Sequence, residues 1–337
     1  MKYTKVNLSG LAYELAPNVV TSEALERRIA PVYEKLRFQV GQIEALTGIR
    51  ERRWWDEGFK LSDGASRAGR KALEKAGVTA ADLGVVIYAG VCKESSEPAT
   101  ACAVASKLGV SKDCAVYDIS NACLGVMSGM VDIANRIELG QIKAGLVVSC
   151  ESAREINDAM IESMLKNPTM EHFKLSIATL TGGSGAVGVV LTDGSFGAKG
   201  PKLLGGTTQA APQHWDLCLW DRDFMRTDAP AVLKNGMELA KLTWRSFADK
   251  LGWTSQTMDK TITHQVGGPQ TTALLTACGV GGDKDYPTYE YLGNIGTVSL
   301  PLTAALADER GFLNKGDKVG FIGIGSGLNC MMLGWEW

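Results

Sequence analysis

Residues 115–139 read AVYDISNACLGVMSGMVDIANRIEL. Ala115–Ile119 has the short apolar character of a strand, Ser120-Asn121-Ala122 makes a polar turn, and Cys123 opens a helical pattern that stays apolar nearly all round until Asp132. A helix without a polar face belongs in the interior. Gly125 and Gly129, four residues apart, share one side of it and permit close packing. The thiol at its head sits where unpaired backbone N–H groups and the helix dipole favour thiolate. Strand, turn, cysteine and buried helix together read as a nucleophile delivered into the protein centre. A packing cysteine is the competing reading.

The same alternation extends in both directions. Apolar runs at Val85–Ala89, Gly145–Ser149 and Ala186–Leu191 read as buried strands, and helical patterns cover Ser62–Ala76, Pro98–Leu108 and Glu155–Leu165. The second half has strand candidates at Lys202–Thr208, Lys260–Gln265 and Lys318–Ile324. Its helical patterns cover Val232–Leu251, Pro269–Cys278 and the segment that follows a glycine start, Gly293–Leu306. Strands alternating with ten- to fifteen-residue helices predict an α/β fold. The two halves share this layout and join near Gly194–Lys202 without a low-complexity linker, so they are expected to pack as one body.

Composition narrows the function classes. The chain has 337 residues, with 35 Lys and Arg against 37 Asp and Glu, a net charge of −2. A nucleic-acid-coating protein would show a basic excess. Thirty-nine residues are glycine, well above the usual share of about 7 %, which calls for many tight turns or close backbone approaches. Eight cysteines without a C-x-x-C pair suit reduced, mostly buried thiols in a cytoplasmic protein. Glu14 and Pro17 interrupt the N-terminal segment, so no signal peptide is expected, and no apolar run approaches the length of a membrane span. His172, His214 and His264 lie far apart, and no metal site is expected.

A nucleophilic cysteine needs groups that hold negative charge on the substrate oxygen. His264, at a strand end in THQVGG, and Asn294, in YLGNIGTVSLP, can both donate to a thioester carbonyl. Each alone reads more simply as a satisfied structural residue. The terminal run GIGSGLNC, Gly323–Cys330, lacks the lysine of a phosphate loop and has no obvious helix after it. Its backbone N–H groups suit half of an oxyanion hole.

Cys123, His264, Asn294 and the GIGSG loop, in this order and spacing, resemble the thiolase superfamily and, within it, the β-ketoacyl-ACP synthase III branch. TGIRERR, Thr47–Arg53, is similar to an N-terminal signature of that branch. The resemblance covers essentially the whole chain. It implies the thiolase fold, five αβαβα layers built from two pseudo-equivalent halves, in a homodimer. Residues 1–195 would form the half with the cysteine, and residues 196–337 the half with the histidine and asparagine. KESSEPAT around Glu97, NACL, HQV, GNIG and GIGSGLNC look more narrowly like the OleA-like acyl-CoA condensing enzymes. That resemblance implies an acyltransferase performing a non-decarboxylative Claisen condensation of two long-chain fatty acyl-CoAs, the first step of head-to-head olefin biosynthesis.

The roles implied are Cys123 as nucleophile, the backbone N–H groups of Cys123 and Ser326 as oxyanion hole, and His264 with Asn294 on the second thioester. Glu97, donated by the neighbouring subunit, would be the base. The chemistry agrees, because a plain acyl thioester has a weakly acidic α-carbon, and a carboxylate drawn into an apolar channel is a stronger base. The plainer reading of Glu97 is an acid favoured by a helix N-terminus. Many synthases III carry a Trp and an Arg that clamp the CoA adenine where Gln42 and Leu46 appear here. Arg50, Arg53 and Trp54, with Arg52 and Trp55, are the replacement candidates for CoA binding, against a solvated surface loop. No resident cofactor is implied, since coenzyme A thioesters are the substrates. The implied partners are long-chain acyl-CoA, a second copy of the chain and other olefin-pathway enzymes. Alternatives are a decarboxylating β-ketoacyl-ACP synthase III using malonyl-ACP, an acyl-thioester hydrolase, and a silent acyl-binding scaffold.

Overall fold

The computed structural model describes residues 1–197 and 200–337. Its strands are β1 (Asn7–Leu15), β2 (Asn18–Thr21), β3 (Glu51–Trp54), β4 (Val85–Ala89), β5 (Ala115–Ile119), β6 (Ala144–Glu151), β7 (Gly185–Thr192), β8 (Lys202–Ala210), β9 (Cys218–Trp220), β10 (Met225–Thr227), β11 (Lys260–Thr263), β12 (Lys318–Gly325) and β13 (Asn329–Glu336). Every residue of β4, β6 and β7 is buried. Continuous apolar runs without alternation form strands covered on both faces, and helices supply the cover here.

Nine strands run in the order β11-β12-β13-β8-β1-β7-β6-β4-β5. Read outward from the centre, each half repeats one pattern. β1 pairs antiparallel with β7, β7 antiparallel with β6, and β6 parallel with β4. Likewise β8 pairs antiparallel with β13, β13 antiparallel with β12, and β12 parallel with β11. Among the described residues, only the first half extends this sheet by a further strand, β5. The two first strands meet at Asn7 and Lys202. The joining segment 194–202 includes residues 198 and 199, which lie outside the described residues.

Helices divide the core into layers. Leu61–Ala76 covers the outer face of the first half through Ala65, Ala68, Ala72 and Ala76. Ala229–Leu251 and Gly268–Cys278 cover the outer face of the second. Gly125–Glu138 and Ser299–Glu309 fill the middle, among a central cluster that draws on both halves. Met130, Ile133 and Ile137 of the former are at most 1 % exposed, and burying each contributes roughly 1.5–3 kcal/mol. Gly129 makes that packing possible, since a Cβ there would lie 2.6 Å from Val147 Cγ2. This is the five-layer arrangement of two equivalent halves that the resemblance implies. Among the described residues, no helix is long and apolar enough to cross a membrane.

Several boundaries differ from the sequence reading for local reasons. The helix expected from Pro98 begins at Thr100, because the Asp118 carboxylate on β5 accepts the Thr100 and Ala101 N–H groups at 3.0 and 2.8 Å. The strand expected through Gln265 ends at Thr263, so His264 stands just past it. β1 lies at the centre of the sheet, yet a register shift between Leu8 and Gly10 breaks its pattern.

Candidate active site

The turn after β5 presents Cys123 in a single 3-10 turn, Ala122–Leu124, that runs into the buried helix. Ala122 has φ +43°, a left-handed conformation that costs an alanine about 1–2 kcal/mol. Side chains from two directions hold it. Asn121 Nδ2 donates to Ser128 Oγ at 2.9 Å, and Asn329 Nδ2 of β13 donates to Asn121 Oδ1 at 3.1 Å. The end of β12 presses on the same turn, with a Cβ on Gly325 falling 3.4 Å from Cys123 N.

Burial dominates the electrostatics of the thiol. Desolvation, then the neighbouring Cys218 and Glu151, push its pKa up to about 12, while the backbone N–H groups of Cys123 and Ser326 pull it down. The dipole-favoured thiolate expected from the sequence is therefore corrected. Within the largely apolar cavity, loss of hydration outweighs the helix terminus and favours the thiol, even though Cys123 is only half-buried. Those two N–H groups, of Cys123 and Ser326, are the pair expected from the sequence to form the oxyanion hole, and both act on the sulfur.

His264 and Asn294 face the same cavity. His264 is 5 % exposed, and neither ring nitrogen has a partner among the described residues. Burial lowers its pKa to about 4, so the imidazole is neutral at ordinary pH. A buried latch fixes the strand before it. Asp285, pushed up to about 6 by burial, accepts the Thr263 N–H at 3.0 Å and the Thr263 hydroxyl at 2.8 Å. Gln265 donates to Thr263 O at 2.9 Å and accepts the Thr288 N–H at 2.9 Å. Asn294 is threaded against the first half, where its N–H meets Thr181 O and its carbonyl accepts the Gly183 N–H, both at 2.9 Å. Only a residue without a side chain fits this crossing, since a Cβ on Gly183 would lie 2.1 Å from Leu292 O. Asn294 Oδ1 accepts the Gly296 N–H at 3.0 Å, leaving the amide N–H groups free to serve a ligand.

The cavity measures about 650 Å³, and apolar side chains such as Ile156, Met225, Leu233 and Met237 line most of it. Part of its wall is the β9–β10 hairpin, which contributes Cys218, Leu219, Trp220, Met225 and Thr227. The position where many synthases III carry an arginine holds Leu46, which lines the cavity while 60 % exposed.

Residues 55–214 match the family described as "Thiolase, N-terminal domain", and residues 248–337 match "3-Oxoacyl-[acyl-carrier-protein (ACP)] synthase III C terminal". An acyl-CoA:acyl-CoA alkyltransferase of Shewanella oneidensis is 57 % identical across the full length of both chains. The chain belongs to the acyl-CoA:acyl-CoA alkyltransferase family. A cysteine-to-serine variant of Xanthomonas campestris OleA, solved with bound lauric acid and lauroyl-CoA, superposes with a TM-score of 0.96 at 35 % identity, covering 99 % of this chain and 100 % of that one. A β-ketoacyl-ACP synthase III of Oceanobacillus iheyensis is more distant, 27 % identical over 98 % of this chain and 99 % of that one. The fold is that of the thiolases.

In this alkyltransferase the remaining sequence candidates lie apart from the cavity. Glu97 is exposed on the loop between β4 and the helix Thr100–Leu108, and it does not line its own chain's cavity. Arg50 is exposed and forms a 3.6 Å ion pair with Glu290. Arg53 is half-buried, and its Nε is buried without a partner. Trp54 requires a correction. It is 3 % exposed, its Nε1 donates to Gly182 O at 3.3 Å, and Arg154 stacks on its ring at 5.4 Å. Such a ring offers no platform to an adenine. The sequence reading missed Glu151, a buried carboxylate lining the cavity beside Cys123. Its signal was a carboxylate closing a run of buried strand residues.

The His264 environment gives a stability prediction. A folded-state pKa of about 4 against 6.5 unfolded means that the unfolded chain binds the extra proton first, so stability falls as pH drops through that window. By pH 4.5 the loss from this residue is about 2–3 kcal/mol. Unfolding free energies from denaturant titrations at pH 7 and 4.5 should differ less for His264→Gln than for the parent by that amount. Equal differences would place the imidazole in water.

Proposed function

We propose that the chain catalyses the non-decarboxylative Claisen condensation of two long-chain acyl-CoAs. The observation that carries this reading is one largely apolar cavity that gathers Cys123, His264 and Asn294 from the two halves, with Glu97 exposed outside it. Residues 1–195 supply the nucleophile and residues 196–337 the histidine and asparagine, so neither half is competent alone. The reaction needs no resident cofactor. A homodimer completes the site, and a cytoplasmic setting suits eight free cysteines.

Cys123 Sγ attacks the carbonyl of the first acyl-CoA, and the N–H groups of Cys123 and Ser326 hold the oxyanion. The carbon–sulfur bond to CoA breaks, and CoA leaves as the thiol with the proton that Cys123 loses. The second acyl-CoA places its thioester oxygen between neutral His264 and the Asn294 amide. Glu97 of the partner subunit takes an α-proton, and the enolate carbon attacks the acyl-Cys carbonyl. Collapse expels the Cys123 sulfur, which recovers the proton from the carboxyl group. Hydrolysis of the resulting 2-alkyl-3-ketoacyl thioester gives the β-keto acid and a second CoA. Enzymes that carry a β-keto acid on towards an olefin are the natural pathway partners.

Incubation with myristoyl-CoA alone tests the reading. The expected products are CoA and the symmetric long-chain ketone left after spontaneous decarboxylation of the β-keto acid. Product only with malonyl-ACP would favour the decarboxylating synthase. Fatty acid and CoA without a coupled product would favour a hydrolase.

A further inference from the structure

The mechanism above does not use Glu151. It closes β6, is 2 % exposed, and lines the cavity with Cys123 and Asn294. Its two oxygens serve neighbouring amides of one segment, with Oε1 accepting the Val91 N–H and Oε2 the Cys92 N–H, each at 2.9 Å. Oε1 also packs against the Asn294 loop, where a Cβ on Gly296 would lie 3.1 Å away. A buried carboxylate is tolerated when its oxygens find such donors. The question is what these donors anchor.

Val91 and Cys92 are the root of the loop that carries Glu97. Both backbone polar groups of Cys92 are held, the N–H by Glu151 and the carbonyl by the Tyr88 hydroxyl at 2.8 Å. The loop re-enters the fold at Thr100 and Ala101, where the Asp118 carboxylate holds both N–H groups. Two carboxylates thus pin the two ends, and the exposed Glu97 lies between them. Resting on the reading in which Glu97 serves the other subunit, we infer that Glu151 is a positioning residue acting in trans. By fixing Val91 and Cys92 it sets the stance of the loop that delivers Glu97 into the neighbouring cavity. Its loss slows the partner's condensation step, whereas at the Cys123 that it lies beside it only relieves a neighbouring charge.

Mixed dimers test this. Glu151→Gln keeps the side-chain volume but turns an N–H2 towards a backbone N–H. As a homodimer it should still release CoA in a single-turnover burst, no slower than the parent because the charge that raises the Cys123 pKa is gone, and lose condensation on the order of 10²-fold, the scale of a misplaced reacting group. Co-expression with a differently tagged Cys123→Ala chain gives a dimer whose one intact cysteine is served by a wild-type loop. That dimer should recover about half of the parent activity, since one of its two sites is whole. Activity as low as the Glu151→Gln homodimer would overturn the inference and place the effect in its own site, as would a fully active homodimer. A Cys123→Ala and Glu97→Ala pair is the control. If it fails to complement, the trans-base reading falls and the inference with it. If it complements while the Glu151→Gln pair does not, only the inference falls. Thermal melts confirm folding, and Glu151→Ala repeats every arm if the glutamine variant does not fold.

Discussion

Cys123→Ala is expected to lose both the CoA burst and the coupled product, a fall on the order of 10⁴–10⁶ in turnover, as for removal of other catalytic nucleophiles. The geometry leaves no substitute. Cys218 also lines the cavity, but its thiol lies 3.3 Å from the Thr227 hydroxyl. The two backbone N–H groups that would stabilise an oxyanion act on Cys123. Intact-protein mass after exposure to acyl-CoA checks this, since the parent gains one acyl group per chain and the variant none. An acyl adduct on Cys218 with retained turnover would refute the assignment. The same environment sets a reactivity profile. With its pKa pushed up to about 12, Cys123 should be alkylated by iodoacetamide slowly at neutral pH and progressively faster up to the alkaline limit of stability. A rate already at its plateau at pH 7 would mean that the helix terminus prevails over burial after all.

The placement of Cys123 was legible in the sequence because two signals coincided there, a strand-turn-helix boundary and an apolar start to the helix, although Ser128, Asp132, Asn135 and Arg136 give that helix a partly exposed polar side. His264 and Asn294 were legible as site residues only through their order with Cys123 and the terminal glycine loop. What brings them together is the pairing of equivalent halves, which no local pattern states. Trp54 was misread because a tryptophan among arginines resembles a surface platform. The alternation of β3 decides otherwise, placing Arg52 and Trp54 inward and Glu51 and Arg53 less buried. Arg52 is wholly buried, donating to Ser22 Oγ and Leu180 O. The cavity wall was not legible, since Met225 or Leu233 facing an empty volume has the same sequence character as one facing another side chain. Glu151 was missed because a carboxylate closing a strand usually marks a return to solvent. Its burial depends on the amides of Val91 and Cys92, 60 and 59 positions away in the chain, a separation no local sequence window covers.

Glu97→Gln is expected to separate the two half-reactions. The side chain is exposed in the single chain, so the substitution leaves folding and self-acylation intact. One CoA per subunit should be released in the burst, as in the parent. Condensation should fall about 10²–10⁴-fold, the usual range for loss of a general base, because a carboxamide keeps the shape but cannot take the α-proton. A decarboxylating synthase forms its carbanion by losing CO2 and would not notice the change, so unaltered turnover with acyl-CoA alone would remove Glu97 from the mechanism. Loss of the burst as well would show that the loop supports the acylation site itself. The informative pattern is a full burst without coupled product. That pattern would assign Glu97 to proton removal, and its exposure outside its own chain's cavity would then leave a second chain as the one it serves.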